Sequence, residues 1–382
     1  MGSGHIFVYN FYLSVSDSKF FLQRRIIMKK IIKLASFIFP TLNVFLYSIF
    51  NASDKRTNIV FYSPWRFQAR HLNTIIPKLT SDERYRVFLI GDFSEGFNAE
   101  YYKSTKHLPL HRKYSVFIST EGVIPWKIKT KSVYFGHGIG PKLGHNSLDI
   151  FSLFDYCFCP CEPIFLAQNQ INSNCKQVGL PILEEQTTVE KSTVIERFQL
   201  KKDLPTIVYA PSWHINRAAI SDIGKISKKL KELNNFNLII SPHPHLLNPD
   251  YCGGKSFASC FDGVKINGGS EISSLDLIKS TADIVVSDIS SILYESLALG
   301  KRTVFDGNKE LYTVSKAETV YNEMSKHVIS CDWDADVNLQ FESLYEDTEL
   351  LSRQYAYIKT YIYNLNRSTQ YCVDLIKDIV NT

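Results

Sequence analysis

Several features that define other protein classes are missing from this 382-residue sequence. Its eight cysteines include no CxxC pair and no disulfide framework, so neither a zinc knuckle nor a disulfide-stabilised secreted fold is indicated. Internal repeats and low-complexity tracts are absent as well. The net charge is only +5, an excess too small to imply a nucleic-acid partner. We therefore expect a globular protein in a reducing compartment, with no metal, no cofactor and no nucleic acid.

The basic residues are unevenly distributed, with a cluster near the start of the chain. No acidic residue separates its six members, which are Lys19, Arg24, Arg25, Lys29, Lys30 and Lys33. The apolar run 34–50 follows, and its 17 residues are the short limit for a membrane span, with Pro40 and Asn43 interrupting it. A cleaved signal peptide, a spanning anchor, a helix in the membrane interface and a buried core helix are all compatible with such a run.

The charge distribution favours one of these alternatives. If the run spanned the membrane, the basic residues before it would stay in the cytoplasm, and the rest of the chain would be exported with all eight cysteines. Because that outcome conflicts with a reducing compartment, we expect residues 1–56 to form a peripheral or monotopic segment at the cytoplasmic face of the cell membrane. Anionic lipids of the inner leaflet would attract its lysines and arginines.

From residue 57 onward, short apolar strands alternate with helical patterns. The first group of predicted strands covers 59–62, 85–90, 114–119, 133–135, 155–159 and 176–178. After a charged, apolar-poor stretch the pattern restarts, with strands at 206–210, 237–240, 264–266, 284–286 and 303–305. Such alternation predicts an α/β protein with parallel sheets. We expect two Rossmann-like domains facing across a cleft, at 57–185 and 186–350, with the helices of 351–382 packing back across both.

The clearest single pattern is the stretch 284–306, which predicts a strand, a polar turn, a helix and a second strand. Ser290 and Ser291 come directly before the helical pattern, where hydroxyl side chains cap a helix, and Gly300 is placed to end it. Open α/β sheets bind ligands where the carboxyl end of a strand meets a helix N-terminus, because free N–H groups and the helix dipole attract phosphate. We therefore predict a phosphate-binding turn here.

Four polar turns share this design, in which an apolar strand leads directly into a loop with His, Ser or Trp side chains. They comprise residues 136–138, 212–214, 243–245 and 287–291. Parallel strands bring such loops to one edge of a sheet, so the last three should converge in one domain. The first turn would face them from the other domain. No single turn is specific, but four at corresponding strand ends indicate a ligand-binding cleft.

These turns carry motifs that resemble a known family. HGIGPK at 137–142 is similar to the His-Gly motif of the CDP-glycerol glycerophosphotransferase family, which comprises teichoic-acid and capsule primases and polymerases. YAPSWH at 209–214 resembles the family's Tyr-Ala-Pro-Thr-Trp pattern, and PHP at 242–244 resembles its His-Pro element. SDISSILYESLALGKRTVFD at 287–306 is similar to its Ser-Asp-x-Ser-Ser helix start and the strand that follows. The four motifs occur in the family's order.

The resemblance implies a GT-B type fold with the donor nucleotide bound to the C-terminal domain. It also implies transfer of glycerol phosphate, or a similar polyol phosphate, from a CDP-linked donor to a hydroxyl of a lipid-linked or polymer acceptor, with release of CMP. His137 would be the catalytic base, and Glu295 would face the ribose. The residues expected to contact substrate are Gly138, Lys142, Ser212, Trp213, His214, His243, Asp288, Ser290, Ser291 and Glu295.

Four positions depart from the family's pattern. Ile139 occupies a position that is usually polar, and His214 a position where arginine is common. Glu295 replaces an aspartate, and Arg302 replaces a proline. These departures concern the identity of the donor more than the class of reaction.

Three other functions fit the same pattern. A glycosyltransferase of this fold would use the turns to bind a nucleotide sugar for surface polysaccharide synthesis. A sugar-nucleotide 2-epimerase shares the fold but needs no basic membrane-facing segment. An inactive assembly factor at the membrane would not need His137, His243 and both serines. A panel of nucleotide donors separates these functions, because released CMP indicates phosphopolyol transfer and a glycosylated product indicates sugar transfer.

Overall fold

The structure, a computed structural model, describes residues 55–104, 107, 114–124, 130–140, 148–213, 225–247, 261–268 and 272–382. Within these ranges, residues 56–107 and 114–382 belong to one compact unit. Residues 1–54 of the predicted membrane-association segment lie outside the described residues, as do Lys142 and His214. Among the described residues, no helix combines the length and the apolar character that crossing a membrane requires.

The first sheet contains seven strands: β1 (Thr57–Ser63), β2 (Tyr85–Gly91), β3 (Glu100–Tyr102), β4 (Val116–Ser119), β5 (Lys131–Tyr134), β6 (Tyr156–Cys159) and β7 (Cys175–Gln177). Their order across the sheet is β3-β2-β1-β4-β5-β6-β7, and all neighbours are parallel. The direction of winding reverses between β1 and β4. Such a switch point is where doubly wound sheets bind ligands.

The second sheet contains six strands: β8 (Thr206–Ala210), β9 (Asn237–Ile240), β10 (Lys265–Ile266), β11 (Ile284–Ser287), β12 (Arg302–Phe305) and β13 (Ile329–Ser330). The order is β10-β9-β8-β11-β12-β13, again with parallel neighbours and a switch point between β8 and β11. The predicted α/β fold with two parallel sheets is confirmed.

The central strands form where the sequence is continuously apolar. Residues 59–61, 116–118 and 284–286 are almost completely buried, as expected of strands whose two faces are both covered. The sequence pattern did not predict the edge strands β3 and β13. These have three and two residues, and neither contains a buried residue, so the apolar signal that marks the other strands is missing.

Helices connect the strands and follow the second sheet. They are α1 (Arg66–Ala69), α2 (Ile75–Thr80), α3 (Glu162–Asn169), α4 (Lys191–Phe198), α5 (Pro244–Leu247), α6 (Ser274–Ser280), α7 (Ser291–Ala298), α8 (Glu310–Val314), α9 (Glu318–Met324), α10 (Val337–Glu346), α11 (Thr348–Tyr361) and α12 (Ser368–Asn381). Residues 225–230 are also helical. The helical stretch predicted between β1 and β2 is divided, with the 3-10 turn Arg70–Leu72 between α1 and α2. The turn places Arg70 and His71 at the cavity that is described below.

Two apolar clusters connect distant parts of the chain. Cys372, Val373 and Ile376 of α12 are buried in the same cluster as residues of the first sheet. Ile139, from the loop after β5, is buried in a second cluster with Ile289, from the loop after β11. The apolar residue at position 139 therefore packs against the loop that leads into α7. The predicted domain boundary at residue 185 stays a prediction.

Candidate functional site

A cavity of about 610 Å³ lies between loops at the carboxyl ends of the two sheets. The first sheet contributes the loops after β1, β4 and β5, and the second contributes those after β8, β9 and β11. These loops flank both switch points, where doubly wound sheets bind ligands. The volume is typical of small-molecule sites. The cavity is therefore the candidate binding site of the protein.

His137 lines the cavity from the loop after β5, and its side chain is exposed. Its Nδ1 lies 3.0 Å from the carbonyl oxygen of Thr120. Because a carbonyl oxygen can only accept a hydrogen bond, Nδ1 carries the ring hydrogen, and the neutral ring has its lone pair on Nε2. The backbone thus selects the tautomer that a proton acceptor at Nε2 requires.

Gln68 supports this arrangement from α1. Its buried side chain accepts a hydrogen bond at Oε1 from the Thr120 hydroxyl, at 3.2 Å. Its Nε2 donates to Oε1 of Glu121 at 2.5 Å and lies 3.4 Å from Nε2 of His137. Because both ends of the amide have partners, Gln68 directs an N–H group towards the His137 lone pair. The sequence motifs did not identify Gln68 or Glu121, since neither belongs to a polar turn of the predicted kind.

His243 lines the cavity from the loop after β9. Its Nδ1 accepts a hydrogen bond from the backbone N–H of His245 at 3.2 Å, so the neutral ring carries its hydrogen on Nε2. Trp213 stacks beside this ring, with centroids 6.4 Å apart and planes inclined by 26°. Burial lowers the pKa of His245, which keeps that neighbouring ring neutral at pH 7. In its neutral form, His243 therefore donates from Nε2.

Ser291, the first residue of α7, connects the loops of the two sheets. Its Oγ accepts hydrogen bonds from the backbone N–H groups of Ile139 and Gly140, at 3.1 and 3.0 Å. Gly138 permits this approach, because a Cβ there would lie 2.4 Å from the Ser291 Oγ and because its φ is +97°. The Ser291 oxygen thus already accepts two hydrogen bonds from the protein, and its hydroxyl hydrogen can be donated to a ligand. Its contact with a pyrophosphate stays a prediction.

Ser290 lies at the N-terminus of α7, also on the cavity wall. Its side chain caps the helix by accepting a hydrogen bond from the N–H of Ile292 at 3.3 Å, as the sequence predicted. The positive end of this eight-residue helix therefore faces the cavity. An anionic group would be stabilised at this end of the cavity.

Ser212 and Asp288 are not among the side chains that line the cavity, and their predicted contact with substrate stays a prediction. Each is 1% exposed, and Oδ2 of Asp288 accepts hydrogen bonds from the N–H and the hydroxyl of Ser212, both at 2.8 Å. Oδ1 of Asp288 accepts from the N–H of Ser290 at 2.9 Å. A buried carboxylate needs hydrogen-bond donors, and for Asp288 the donors are groups of Ser212 and Ser290. The pair braces the loops after β8 and β11 against each other.

Glu295 lies about one turn into α7 and lines the cavity although it is 5% exposed. Burial raises its pKa to about 7, and the nearby charges of Lys279 and Arg70 act in the opposite direction. Near neutral pH its carboxyl group is therefore present in both protonation states. Its predicted contact with a ribose is compatible with this position and stays a prediction.

Arg70 connects the two sheets beside the cavity. Its guanidinium, in the 3-10 turn before α2, lies 2.6 Å from a carboxylate oxygen of Glu185 and 3.0 Å from one of Asp276 in α6, and it also donates to Ser273. The three ionised side chains are between 16% and 19% exposed. Largely shielded pairs of this kind hold their geometry better than exposed ones. Arg70 therefore ties the first sheet to a helix of the second.

Three further side chains line the cavity that the sequence motifs did not identify: Trp65, Phe67 and His71. The ring of Phe67 meets those of His137 and His243 nearly edge-on, with centroid distances of 6.1 and 6.2 Å. All three residues follow β1, the first strand of the switch point. Their position at a strand end is a usable signal, but aromatic and helical residues lack the polar-turn pattern on which the prediction of the site depends.

The cysteines take no part in the cavity wall that the structure describes. Cys157 and Cys159 lie in β6, within the strand predicted at 155–159, and Cys161 precedes α3. All three are buried. Among the described residues, no group of three or more His, Cys, Asp or Glu side chains is arranged to hold a metal ion.

Two parallel Rossmann-like sheets with a cavity between their switch points define a GT-B fold. Comparison with solved structures supports this class. The wall teichoic acid polymerase TagF, soaked with CDPG, matches with a TM-score of 0.59 at 13% identity, over 92% of this chain and 98% of the TagF chain. MnaA of S. aureus, in a co-structure with UDP, matches with a TM-score of 0.56 at 11% identity, over 85% and 97% of the two chains.

A glycosyltransferase from Rickettsia africae has a TM-score of 0.51 at 12% identity, over 86% of this chain and all of that one. No family model and no curated protein matches the sequence. At such low identities, the likeness establishes the fold of this chain.

Proposed function

We propose that this protein is a transferase that moves glycerol phosphate, or a similar polyol phosphate, from a CDP-linked donor to a hydroxyl of a lipid-linked or polymer acceptor. CMP is the second product, and the polymer is a cell-surface polymer of the teichoic-acid or capsule type. Two lines of support are the four motifs in the family's order and the likeness of fold to TagF. The observation that carries the proposal is that His137 and His243 line one cavity and that backbone contacts hold their neutral rings in opposite tautomers.

His137 acts as the base in this proposal. The acceptor hydroxyl displaces the long contact of Gln68 at Nε2 and gives its proton to that nitrogen, while its oxygen forms a bond to the β-phosphorus of the donor. The bond between that phosphorus and the oxygen bridging to CMP breaks, and CMP leaves with the electron pair. Imidazole is the side chain best suited to accept a proton near neutral pH. The Thr120 carbonyl continues to accept from Nδ1 throughout and holds the ring in place.

Neutral N–H donors hold the donor diphosphate. Among the described residues that line the cavity, Arg70 is the one permanent cation, and it is paired with Glu185 and Asp276. The proposal assigns the phosphates to Nε2–H of His243 and to the N-terminus of α7, which both lie on the cavity wall. Glu295 lies further along α7, where it can meet the ribose.

A glycosyltransferase that uses a nucleotide sugar is the second candidate. The same N–H groups would bind the diphosphate of any nucleotide-linked donor, and both MnaA and the Rickettsia africae glycosyltransferase share the fold. The two functions differ in the product. A phosphodiester forms in the first and a glycosidic bond in the second.

Incubation of the protein with CDP-glycerol, CDP-ribitol and several UDP-sugars, each with a lipid-linked acceptor, tests the proposal. We expect CMP release that depends on the acceptor, together with a phosphodiester in the product. UDP release with a glycosylated lipid would contradict it in favour of the second candidate. In the same assay, His243→Ala should raise the Kd of the CDP donor by about tenfold or more, because a hydrogen-bond donor to phosphate is lost.

We also propose that residues 1–56 attach the protein to the cytoplasmic face of the membrane as a peripheral or monotopic segment. The support is the basic cluster followed by the apolar run. Deletion of residues 1–50 should release the protein from sedimented membranes into the supernatant. A truncated protein found wholly in the membrane fraction would contradict this attachment.

A further inference from the structure

Gln68 holds a fixed amide beside the nitrogen of His137 that acts as the base in the proposed transfer. Its Nε2 lies 2.5 Å from Oε1 of Glu121 and 3.4 Å from Nε2 of His137. Because a carboxylate can only accept hydrogen bonds, the nitrogen of the amide, and not its oxygen, must face Glu121. One N–H group is thus bound to Glu121, and the second is directed towards His137. Gln68 is 2% exposed, so contacts within the protein fix this orientation.

Thr120 holds Gln68 and His137 in place relative to each other. Its carbonyl oxygen lies 3.0 Å from Nδ1 of His137, and its hydroxyl oxygen lies 3.2 Å from Oε1 of Gln68. Thr120 is fully buried at the end of β4. Because one buried residue contacts both the ring and the amide, the distance between their two Nε2 atoms is set by the fold.

The two Nε2 atoms offer complementary hydrogen-bonding groups to the cavity, which both residues line. His137 presents a lone pair and Gln68 presents an N–H group. Their own contact of 3.4 Å is longer than the usual range of about 2.7–3.2 Å, so a ligand can displace it. A hydroxyl group satisfies both atoms through one oxygen, since it donates to the first and accepts from the second. A phosphate oxygen has no hydrogen for His137, and an ammonium group has no lone pair for Gln68.

We propose that Gln68 is a second catalytic residue, which binds the oxygen of the attacking hydroxyl while His137 accepts its proton. The inference rests on the proposed function, because it assigns a residue to the nucleophile of that transfer. The hydroxyl proton moves to Nε2 of His137, the oxygen bonds to the β-phosphorus, and CMP leaves with the electron pair of the broken P–O bond. The N–H of Gln68 stays on the attacking oxygen and stabilises the negative charge that develops there before the new bond is complete.

Glu121 acts through Gln68 and is therefore a positioning residue. Its backbone is fixed by Ser119, whose hydroxyl donates to the Glu121 carbonyl at 2.6 Å and accepts from its N–H at 3.1 Å. The carboxylate prevents rotation of the amide, which would turn the Gln68 oxygen towards the lone pair of His137. Gln68 in turn separates the carboxylate from the ring. A carboxylate in direct contact with Nε2 would retain a proton there and remove the lone pair that a base needs.

Gln68→Met tests the contact with the nucleophile, because methionine has a similar length but no N–H group. In the CMP-release assay, kcat/KM for the acceptor should fall about tenfold or more, while the Kd of CDP measured by calorimetry stays unchanged. Gln354→Met is the matched control, because Gln354 is also buried, at 1% exposure, and bonds to Thr303 outside the described cavity wall. Equal kcat/KM in Gln68→Met and the wild type would overturn the proposal.

Release of CMP without acceptor gives a second readout from the same samples. Water is then the nucleophile and takes the same position between the two nitrogens, so this release should also fall in Gln68→Met. A rise would overturn the proposal, because it would mean that Gln68 shields the base from water and does not bind the nucleophile.

The pH profile separates a catalytic role of Gln68 from a structural one. Gln68→Glu places a carboxylate beside Nε2 of His137, which favours the protonated ring. The pH of half-maximal turnover on the acidic side should therefore rise by about one pH unit or more. Of the neighbouring titratable side chains, Glu121 is present in both proteins, and His71 stays neutral because burial lowers its pKa to about 3. An unchanged acidic side of the profile would overturn the proposal.

Rescue by a conservative substitution tests Glu121. Glu121→Gln retains an oxygen that accepts from Gln68 and should keep most of the turnover, whereas Glu121→Leu should resemble Gln68→Met. Equal turnover in the two Glu121 variants would overturn its positioning role.

The wild-type protein distinguishes this inference from the proposed function. If the wild type forms a phosphodiester and Gln68→Met does so at the same rate, the role of Gln68 is wrong and the proposed transfer stands. If the wild type releases no CMP from any CDP-linked donor, the proposed function is wrong, and the role of Gln68 in it is wrong as well.

Discussion

His137 and His243 line the same cavity as opposite tautomers, and a backbone contact fixes each of them. The carbonyl oxygen of Thr120 holds the hydrogen of His137 on Nδ1, whereas the N–H of His245 holds the hydrogen of His243 on Nε2. One ring therefore presents a lone pair at Nε2 and the other an N–H. A group transfer needs both a proton acceptor for the nucleophile and a donor for the charge that develops on the leaving side. Simple binding of a nucleotide would need only the second.

Replacement of His137 by glutamine should remove turnover and leave donor binding intact. Glutamine can still form hydrogen bonds, but it cannot take up a proton, so the rate of CMP release should fall by about 10²–10⁴-fold. Calorimetry with CDP should give an unchanged Kd. His107→Gln is the control, because that exposed histidine does not line the cavity. Full turnover in His137→Gln would remove this residue as the base.

Replacement of Ser291 by alanine should destabilise the contact between the two sheets. The backbone N–H groups of Ile139 and Gly140 both lose their acceptor, and Ile139 is fully buried. We expect the free energy of unfolding in urea to fall by about 1–3 kcal/mol. Ser280→Ala is a suitable control, since the hydrogen bonds of that hydroxyl to described residues stay within its own helix and the residue that follows. Equal losses in the two variants would contradict the bridging role of Ser291.

Replacement of Glu295 by glutamine should change how stability depends on pH. Burial raises the pKa of Glu295 from 4.5 to about 7, so the folded state binds more protons than the unfolded state between these values. The wild-type protein therefore loses stability from this group as the pH rises through that window, and the glutamine variant does not. The free energy of unfolding of the variant minus that of the wild type should therefore be about 1–3 kcal/mol larger at pH 8 than at pH 4.5. Urea unfolding at several pH values measures these free energies. If those of the two proteins changed with pH in parallel, the raised pKa of Glu295 would be refuted.

Replacement of Arg70 by methionine should cost considerably more stability than loss of an exposed ion pair. Glu185 and Asp276 would be left without their cation while they are largely shielded from water. Removing one partner of such a pair costs about 2–4 kcal/mol in the free energy of unfolding. Arg84→Met is the comparison, because Arg84 pairs with Asp82 but is 71% exposed, and little change is expected there. Similar effects of the two substitutions would show that Arg70 does not tie the sheets together.

The fold was predictable because parallel sheets leave a strong signal in sequence. Strands buried on both faces, such as β1 and β11, have continuous apolar runs, and each is followed by a turn of distinctive composition. The edge strands β3 and β13 contain no buried residue and so carry no such signal, which is why they were not predicted. The cap at Ser290 was predictable for a similar reason, since hydroxyl residues before a helical pattern have a local meaning.

The site was predictable only in part, because contacts between distant residues decide which side chains face the cavity. Asp288 and Ser212 have a sequence pattern typical of ligand-binding groups, but they hydrogen-bond to each other and are not among the side chains that line the cavity. Gln68 and His71 belong to a broken helix without a motif, and only the packing of that helix directs them into the cavity. A local pattern specifies a residue's conformation, whereas its neighbours in space specify its role.

The most direct measurement is the release of CMP from CDP-glycerol by the purified full chain in the presence of a lipid-linked acceptor. It should be run side by side with CDP-ribitol, UDP-sugars and His137→Gln. We predict acceptor-dependent CMP release, formation of a phosphodiester and loss of both in the variant. Release of UDP with a glycosidic product, or CMP release that persists in full without His137, would contradict the proposed transfer.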